Sequence, residues 1–279
     1  MTEWGSSSPV RSRVLLALRN AFIRQRPDVA IDQNGYTDDF LDTLLTRVIP
    51  QDFETDLTYG DGNELKTKFR AIHSSSGLAV NCFAPFRRQI ADLTLKPGDA
   101  FESLQFERKC PTGLKGGRSP NLDVLLSGPA GVVGVESKLS EYLGKHSAEF
   151  SPAYAKQIRD ARREGGYFRE MLRLIDAPKS YTFLDAAQLI KHAFGLAHTF
   201  QDRPVSLLYL FWEPANPEAS PIFAAHRSEI AEFTERVAGS SPQFSAMSYP
   251  ELWSRLEGAG PEWLQAHLHE LRGRYLVSV

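Results

Sequence analysis

The stretch Asn121–Lys138, NLDVLLSGPAGVVGVESK, restricts the possible folds more than any other part of this 279-residue chain. Two runs rich in Leu and Val flank Gly128-Pro129-Ala130-Gly131, and a Gly/Pro turn between short β-branched runs is a hairpin signal. The pattern predicts antiparallel strands over 121–127 and 132–138. With the turn centred on Pro129-Ala130, Ser127 faces Val132, Leu125 faces Gly134 and Asp123 faces Glu136. Opposed side chains of such a pair have Cβ atoms about 4.5–5.5 Å apart. Side chains alternate along a strand, so Lys138 shares a face with Glu136. An otherwise apolar hairpin therefore ends in an Asp, a Glu and a Lys, a cluster costly as mere structure and useful as a site.

Elsewhere the hydrophobic spacing predicts helices over 13–26 and 38–49, a short one over 63–73, and others at 152–164, 166–175, 183–199 and 221–238. Strands are expected at 103–110, at 205–212 (the continuous apolar run VSLLYLFW, which fits a buried central strand) and at 243–248. One or two further helices precede the apolar end YLVSV. No repeat or long linker divides the chain. The economical organisation is a flexible arm over 1–12 and a single α/β domain over 13–279. Within it, 13–60 is a helical extension, 61–215 the core and 216–279 a C-terminal α/β addition.

Two carboxylates beside an ammonium suit metal-assisted phosphodiester hydrolysis. Mg²⁺ takes hard oxygen ligands and keeps several waters, so two carboxylates and a substrate phosphate suffice. The metal activates water and polarises the phosphoryl group, and an ammonium offsets developing charge. Asp123 and Glu136 are the candidate ligands and Lys138 the ammonium. The chain has three Glu-x-Lys triplets, beginning at Glu64, Glu107 and Glu136. Only the third ends an apolar run and has an Asp opposite it; the second, Glu107-Arg108-Lys109 with Asp99 upstream, is its competitor.

Asp on one strand and Glu-x-Lys on the next, followed by a helix, resembles the PD-(D/E)xK superfamily of restriction and repair nucleases. The matching residues are Pro120-Asn121-Leu122-Asp123 and Glu136-Ser137-Lys138, with the Pro three before the Asp instead of adjacent. The resemblance implies an α/β fold with a restriction-endonuclease-like core, αβββαβ, whose mixed central sheet is flanked by helices. N-terminal and C-terminal helical additions complete it. The core helices and strands fall on 63–73, 103–110, 121–127, 132–138, 152–164 and 205–212, about the middle half of the chain. It also implies a Glu or Gln on the flanking helices. Glu64 occupies such a place as a further metal ligand and Gln157 as a further catalytic residue.

Formal net charge is -2, which argues against a large surface that coats DNA nonspecifically but leaves room for a local basic cleft. Lys115 and Arg118 precede the Asp123 strand, and Lys156, Arg159 and Arg163 share a helical face beside Gln157. These five are candidate nucleic-acid contacts, with a solvated basic face as the equal alternative. His192 and His198, and His267 and His269, lack metal-ligand spacing, and Phe211 and Trp212 read as core. Cys82 and Cys110 are far apart, and no run reaches the roughly 18 apolar residues of a membrane span. A reduced, cytoplasmic protein follows from these two features.

The combined expectation is a Mg²⁺-dependent endonuclease, with Mn²⁺ as an alternative ion. It would act on DNA, or on RNA, in restriction, defence or repair, and as a homodimer on the family pattern. Two rivals stand beside it. One is a noncatalytic nucleic-acid-binding or interaction protein in which Glu136 and Lys138 form a simple ion pair. The other is a hydrolase of a small phosphodiester.

Overall fold

The computed structural model describes residues 9–59, 65–114, 119–155, 165–258 and 260–279. In chain order it contains α1 (Pro9–Gln25), α2 (Glu54–Tyr59), α3 (Ser75–Phe83), β1 (Ser103–Lys109), β2 (Asn121–Gly128) and β3 (Gly131–Lys138). There follow α4 (Pro152–Ala155), α5 (Gly166–Asp176), α6 (Ala186–Thr199), β4 (Val205–Phe211), α7 (Pro221–Arg236), β5 (Gln243–Ser248), α8 (Tyr249–Glu257) and α9 (Glu262–Tyr275). The strands form one mixed sheet in the order β1-β2-β3-β4-β5. β1, β2 and β3 run antiparallel as a meander, and β3, β4 and β5 run parallel.

The interior strand β4, paired on both edges, shows why the sheet is covered on both sides. Its residues alternate between two apolar layers: Leu208 and Leu210 face one, Leu207, Tyr209 and Phe211 the other. The first layer gathers Val14 and Leu18 of α1, Phe83 of α3, Trp253 of α8 and Leu268 of α9. The second gathers Met171 of α5, Ile190 and Leu196 of α6 and Phe233 of α7.

The strands match their predicted spans to within two residues. Of the early helices, the one expected over 13–26 is found as α1, and the next two are not. Residues 38–49 form one 3-10 turn, Phe40–Thr43, and an irregular segment with a turn closed by Val48 N–H on the Leu45 carbonyl, with a second 3-10 turn at Pro50–Asp52. Tertiary hydrogen bonds take the place of helical ones there. Buried Asn81 accepts from Leu45 N–H and donates to the Thr43 carbonyl, while Glu270 accepts from Thr46 N–H. Over 63–73 the described part holds only the 3-10 turn Lys68–Arg70, because Thr37 N–H and the Gly35 carbonyl engage residues 70 and 72. The helix that packs on the sheet before β1 is α3, started by Ser74, whose hydroxyl accepts from Gly77 N–H. On the other side the helix against β3 and β4 is α6, and α4 is described for one turn only. Residues 9–12 of the arm expected over 1–12 belong to α1, and residues 1–8 lie outside the described residues. No helix among the described residues is long and apolar enough to cross a membrane.

Candidate active site

The hairpin closes on the two residues Pro129-Ala130, and Ser127 pairs with Val132, Leu125 with Gly134 and Val124 with Val135. The pairing stops one step before Asp123. In its place Asp123 Oδ2 accepts the Ser137 N–H at 2.6 Å, so the carboxylate is tied to the backbone of the next strand. The β1–β2 ladder is interrupted at the same level: Phe106 pairs with Val124 and Arg108 with Leu122, while Glu107 between them has φ 47. A non-glycine residue in the left-handed region is strained by about 1–3 kcal/mol and re-aims its strand. The Glu-Arg-Lys competitor thus places Glu107 across from Asp123.

Glu136 is buried at 2 % exposure, and both its oxygens are held. Lys138 Nζ donates to Oε1 at 2.5 Å, and His192 Nε2 lies 2.8 Å from Oε2, within ion-pair distance though not aligned as a hydrogen bond. Lys138 also donates to Gln188 Oε1 at 2.8 Å. Gln188 and His192 are four residues apart and so project from one face of α6. The helix is capped by Asp185, whose carboxylate accepts the Gln188 N–H at 3.0 Å. Two glycines let α6 come this close. A Cβ at Gly134 would meet Leu122 and Leu196 methyls at 2.8 Å, and one at Gly195 would meet the Cys110 carbonyl at 2.4 Å.

Charge is unevenly balanced across the cluster. Burial works to raise the Glu136 carboxyl, but Lys138 and His192 outweigh it and hold it at about 2. Burial works to lower Lys138, and Glu136, Asp123 and Glu141 together raise it. Asp123 is pushed well above its ordinary value, first by burial and then by the charges of Glu136 and Glu107. Glu136 and Lys138 therefore form an ion pair, and Asp123 is the carboxylate short of a compensating cation.

A family model described as Restriction Endonuclease associating with ARP matches residues 17–276. The chain belongs to this family. The match runs from within α1 through α9 and takes in every residue of the cluster, in accord with the nuclease resemblance read from Asp123 and Glu136-Ser137-Lys138. A search of curated proteins and a search of solved structures each returned no match.

Of the expected site residues, the described structure brings together Asp123, Glu136 and Lys138. Glu64, Gln157, Lys115, Arg118, Lys156, Arg159 and Arg163 lie outside the described residues. Gln188 and His192 were not singled out as site residues by spacing alone. Their signal was a Gln and a His four apart on an apolar helix, which identifies a shared face but not what the face meets. The other histidines stand apart from the cluster: His198 and His269 are exposed, and His267 is buried against the Asn81 carbonyl at 2.8 Å. Phe211 and Trp212 are both core, with the Trp212 indole N–H on the Tyr275 carbonyl at 2.7 Å.

The donor set fits a hard divalent cation in part. Asp123 and Glu136 supply carboxylate oxygens, and a cation would relieve the crowding of negative charge at Asp123. Among the described residues no three His, Cys, Asp or Glu side chains converge as a ligand set. A site of this kind would be completed by water and substrate phosphate, as Mg²⁺ sites commonly are.

Proposed function

We propose that the protein is a Mg²⁺- or Mn²⁺-dependent nuclease that hydrolyses DNA phosphodiester bonds, an endonuclease of the restriction, defence or repair kind. The observation that carries this reading is the meeting of Asp123, Glu136 and Lys138 at the ends of paired strands, in a chain of a restriction endonuclease family. The fold this implies is the restriction-endonuclease-like core, αβββαβ, assigned to α3, β1, β2, β3, α6 and β4. Asp123 and Glu136 would hold the ion. The chemistry such an ion supplies when bound is Lewis-acid polarisation of the phosphoryl oxygen and a lowered pKa for water.

The chain's own residues do the rest. Lys138 presents an ammonium fixed by Glu136 and Gln188, preorganised to offset charge that builds on the phosphate oxygens. Both partners belong to this chain. Ser137 N–H orients Asp123, leaving Oδ1 for the ion. Gln188 adds a helical polar group at Lys138, and Gln157 stays in the proposal as a further catalytic residue. A cytoplasmic site of action and a protein partner belong to the same reading, the second because the family's description names association with ARP.

The test is cleavage of supercoiled and linear DNA with Mg²⁺, Mn²⁺ or a chelator, by the wild type and by Asp123→Ala. Cutting that needs the metal and Asp123 supports the proposal; cutting that survives Asp123→Ala, or proceeds in chelator, refutes it. A second reading, a noncatalytic protein that keeps the fold, is favoured by one observation: both Glu136 oxygens are already engaged by Lys138 and His192. Calorimetric titration with Mn²⁺ separates the two, because only the nuclease reading requires a site lost in Asp123→Ala.

A further inference from the structure

A helix that lies on a globular protein ordinarily buries one stripe and turns charge outward. α1 buries Val14, Leu18, Ala21 and Phe22, as expected, but two large aliphatic side chains stand on its outer face among Ser12, Arg13, Asn20 and Arg24. Leu16 is 57 % exposed and Ile23 41 % exposed, and residues seven apart lie on one line along a helix. Leu16 stands on the ridge between two grooves. One, of about 420 Å³, runs between α1 and residues 33–35 and 72–73, with Leu15, Leu16 and Ile72 in its walls. The other, of about 440 Å³, runs between α1 and residues 276–279, with Arg13, Leu16 and Arg24 along it.

The charge on this helix has one sign. Its sequence, PVRSRVLLALRNAFIRQ, carries Arg11, Arg13, Arg19 and Arg24 and no Asp or Glu. Arg19 is committed to the Asp32 carbonyl at 2.7 Å, while Arg13 and Arg24 are both exposed on one side of the Leu16–Ile23 line, along the second groove. We propose that this face of α1 is a docking surface for a protein segment that is both apolar and acidic, an amphipathic helix with Leu- or Ile-like anchors flanked by Glu or Asp. The grooves take the anchors, and Arg13 and Arg24 take the carboxylates.

Other occupants fit less well. A second copy joined through the same face would set Arg13 and Arg24 against their own counterparts with no carboxylate on the helix to answer them. DNA would answer the arginines but gain nothing from two exposed aliphatic side chains. Among the described residues, none of α1 lines the space beside Asp123, which is bounded by Leu57, Ala79, Val80 and Phe106. α1 packs in the apolar layer that holds Leu208 and Leu210, and Gln188 and His192 come from α6 in the opposite layer.

The test uses synthetic helical peptides of about 18 residues, with Leu at heptad spacing and either Glu or Lys flanking it, and fluorescence anisotropy against the whole chain. The Glu peptide is expected to bind, with affinity at least tenfold weaker for Leu16→Glu and for Arg13→Glu/Arg24→Glu, and the Lys peptide is expected not to bind. A chain lacking residues 1–8 is expected to bind the Glu peptide as the full chain does. The proposal is overturned if neither peptide binds, if Leu16→Glu binds as tightly as wild type, or if binding appears only once residues 1–8 are removed. It is equally overturned if Leu16→Glu splits a dimer seen by sedimentation, or if Arg13→Glu/Arg24→Glu loses duplex DNA in place of peptide. Asp123→Ala should keep full peptide binding, so the outcome is independent of the nuclease proposal.

Discussion

His192 Nε2 lies 2.8 Å from Glu136 Oε2, on the oxygen that Lys138 leaves free. One carboxylate is thereby shared between a cation from its own strand and a ring from a helix that crosses over it. A metal ion at Glu136 would have to compete with one of them.

If His192 is that competitor, removing it helps the ion and harms the fold. His192→Ala is expected to tighten Mn²⁺ binding about tenfold, which corresponds to about 1.4 kcal/mol. It should also lower stability by about 1–3 kcal/mol through the lost buried contact. Calorimetric titration and urea melts read the two effects separately. Weaker metal binding in the variant would mean that the ring supports the ion instead of displacing it.

Asp123 is buried beside Glu136 and Glu107. A neutral isostere at this position removes a charge that the fold tolerates only at a cost. Asp123→Asn is therefore expected to raise the metal-free melting temperature while abolishing cleavage. Mg²⁺ should stabilise the wild type and leave the variant unmoved. A variant that melts below wild type without metal would contradict this account of the site's charge.

Lys138 and Gln188 act on the same ammonium, one as its source and the other as its anchor. Lys138→Ala is expected to cut the cleavage rate by about 10²–10³-fold, the scale of a lost electrostatic stabiliser. Gln188→Ala should cost less, about tenfold, because Glu136 still holds the ammonium. The double variant should be no slower than Lys138→Ala alone. Additive losses in single-turnover rates would show that Gln188 works on substrate directly.

Gly195 faces the Cys110 carbonyl at a distance that admits no side chain. Alanine in mid-helix would ordinarily stabilise by about 1 kcal/mol. Here a Cβ meets backbone that cannot swing aside, so Gly195→Ala is expected to destabilise by about 1–3 kcal/mol. Denaturant melts decide the sign.

Two buried histidines outside the cluster contribute to the acid sensitivity of the fold. Burial lowers His226 to about 3 and His267 to about 4. Both stay neutral in the folded protein while the unfolded chain takes up protons near pH 6.5. Stability is thus full above about pH 6.5 and falls as pH drops towards the folded values, by up to ~2 kcal/mol per histidine at pH 5. His226→Phe should shrink the difference between urea midpoints at pH 7.5 and pH 5. An unchanged difference would mean that His226 is not the group responsible.

The hairpin was legible because its information is local. A two-residue turn and alternating side chains set the Leu125–Gly134 register without reference to the rest of the chain. The helix over 38–49 failed for the opposite reason: its apolar spacing is real, but Asn81 and Glu270, far off in sequence, bind its backbone in another shape. Gln188 and His192 were hidden in the same way. Their partners, Lys138 and Glu136, lie some fifty residues earlier, and nothing in the intervening sequence states the angle at which α6 crosses the sheet. Glu107 shows a third kind of limit. The triplet Glu-Arg-Lys was visible, but its left-handed backbone is a property of the assembled β1–β2 pair.

β3 has an antiparallel neighbour on one side and a parallel one on the other, and these two seams form by different routes. The β2–β3 seam closes over two residues, whereas the β3–β4 seam waits for a crossover that includes α5 and α6. A chain emerging from the ribosome contains Asp123, Glu136 and Lys138 before Gln188 and His192 have been made. Until the crossover docks, the ammonium lacks its anchor and Glu136 stays open to water. The order of synthesis therefore separates possession of the charged residues from their enclosure, which is complete only when the last helix of that crossover is laid down.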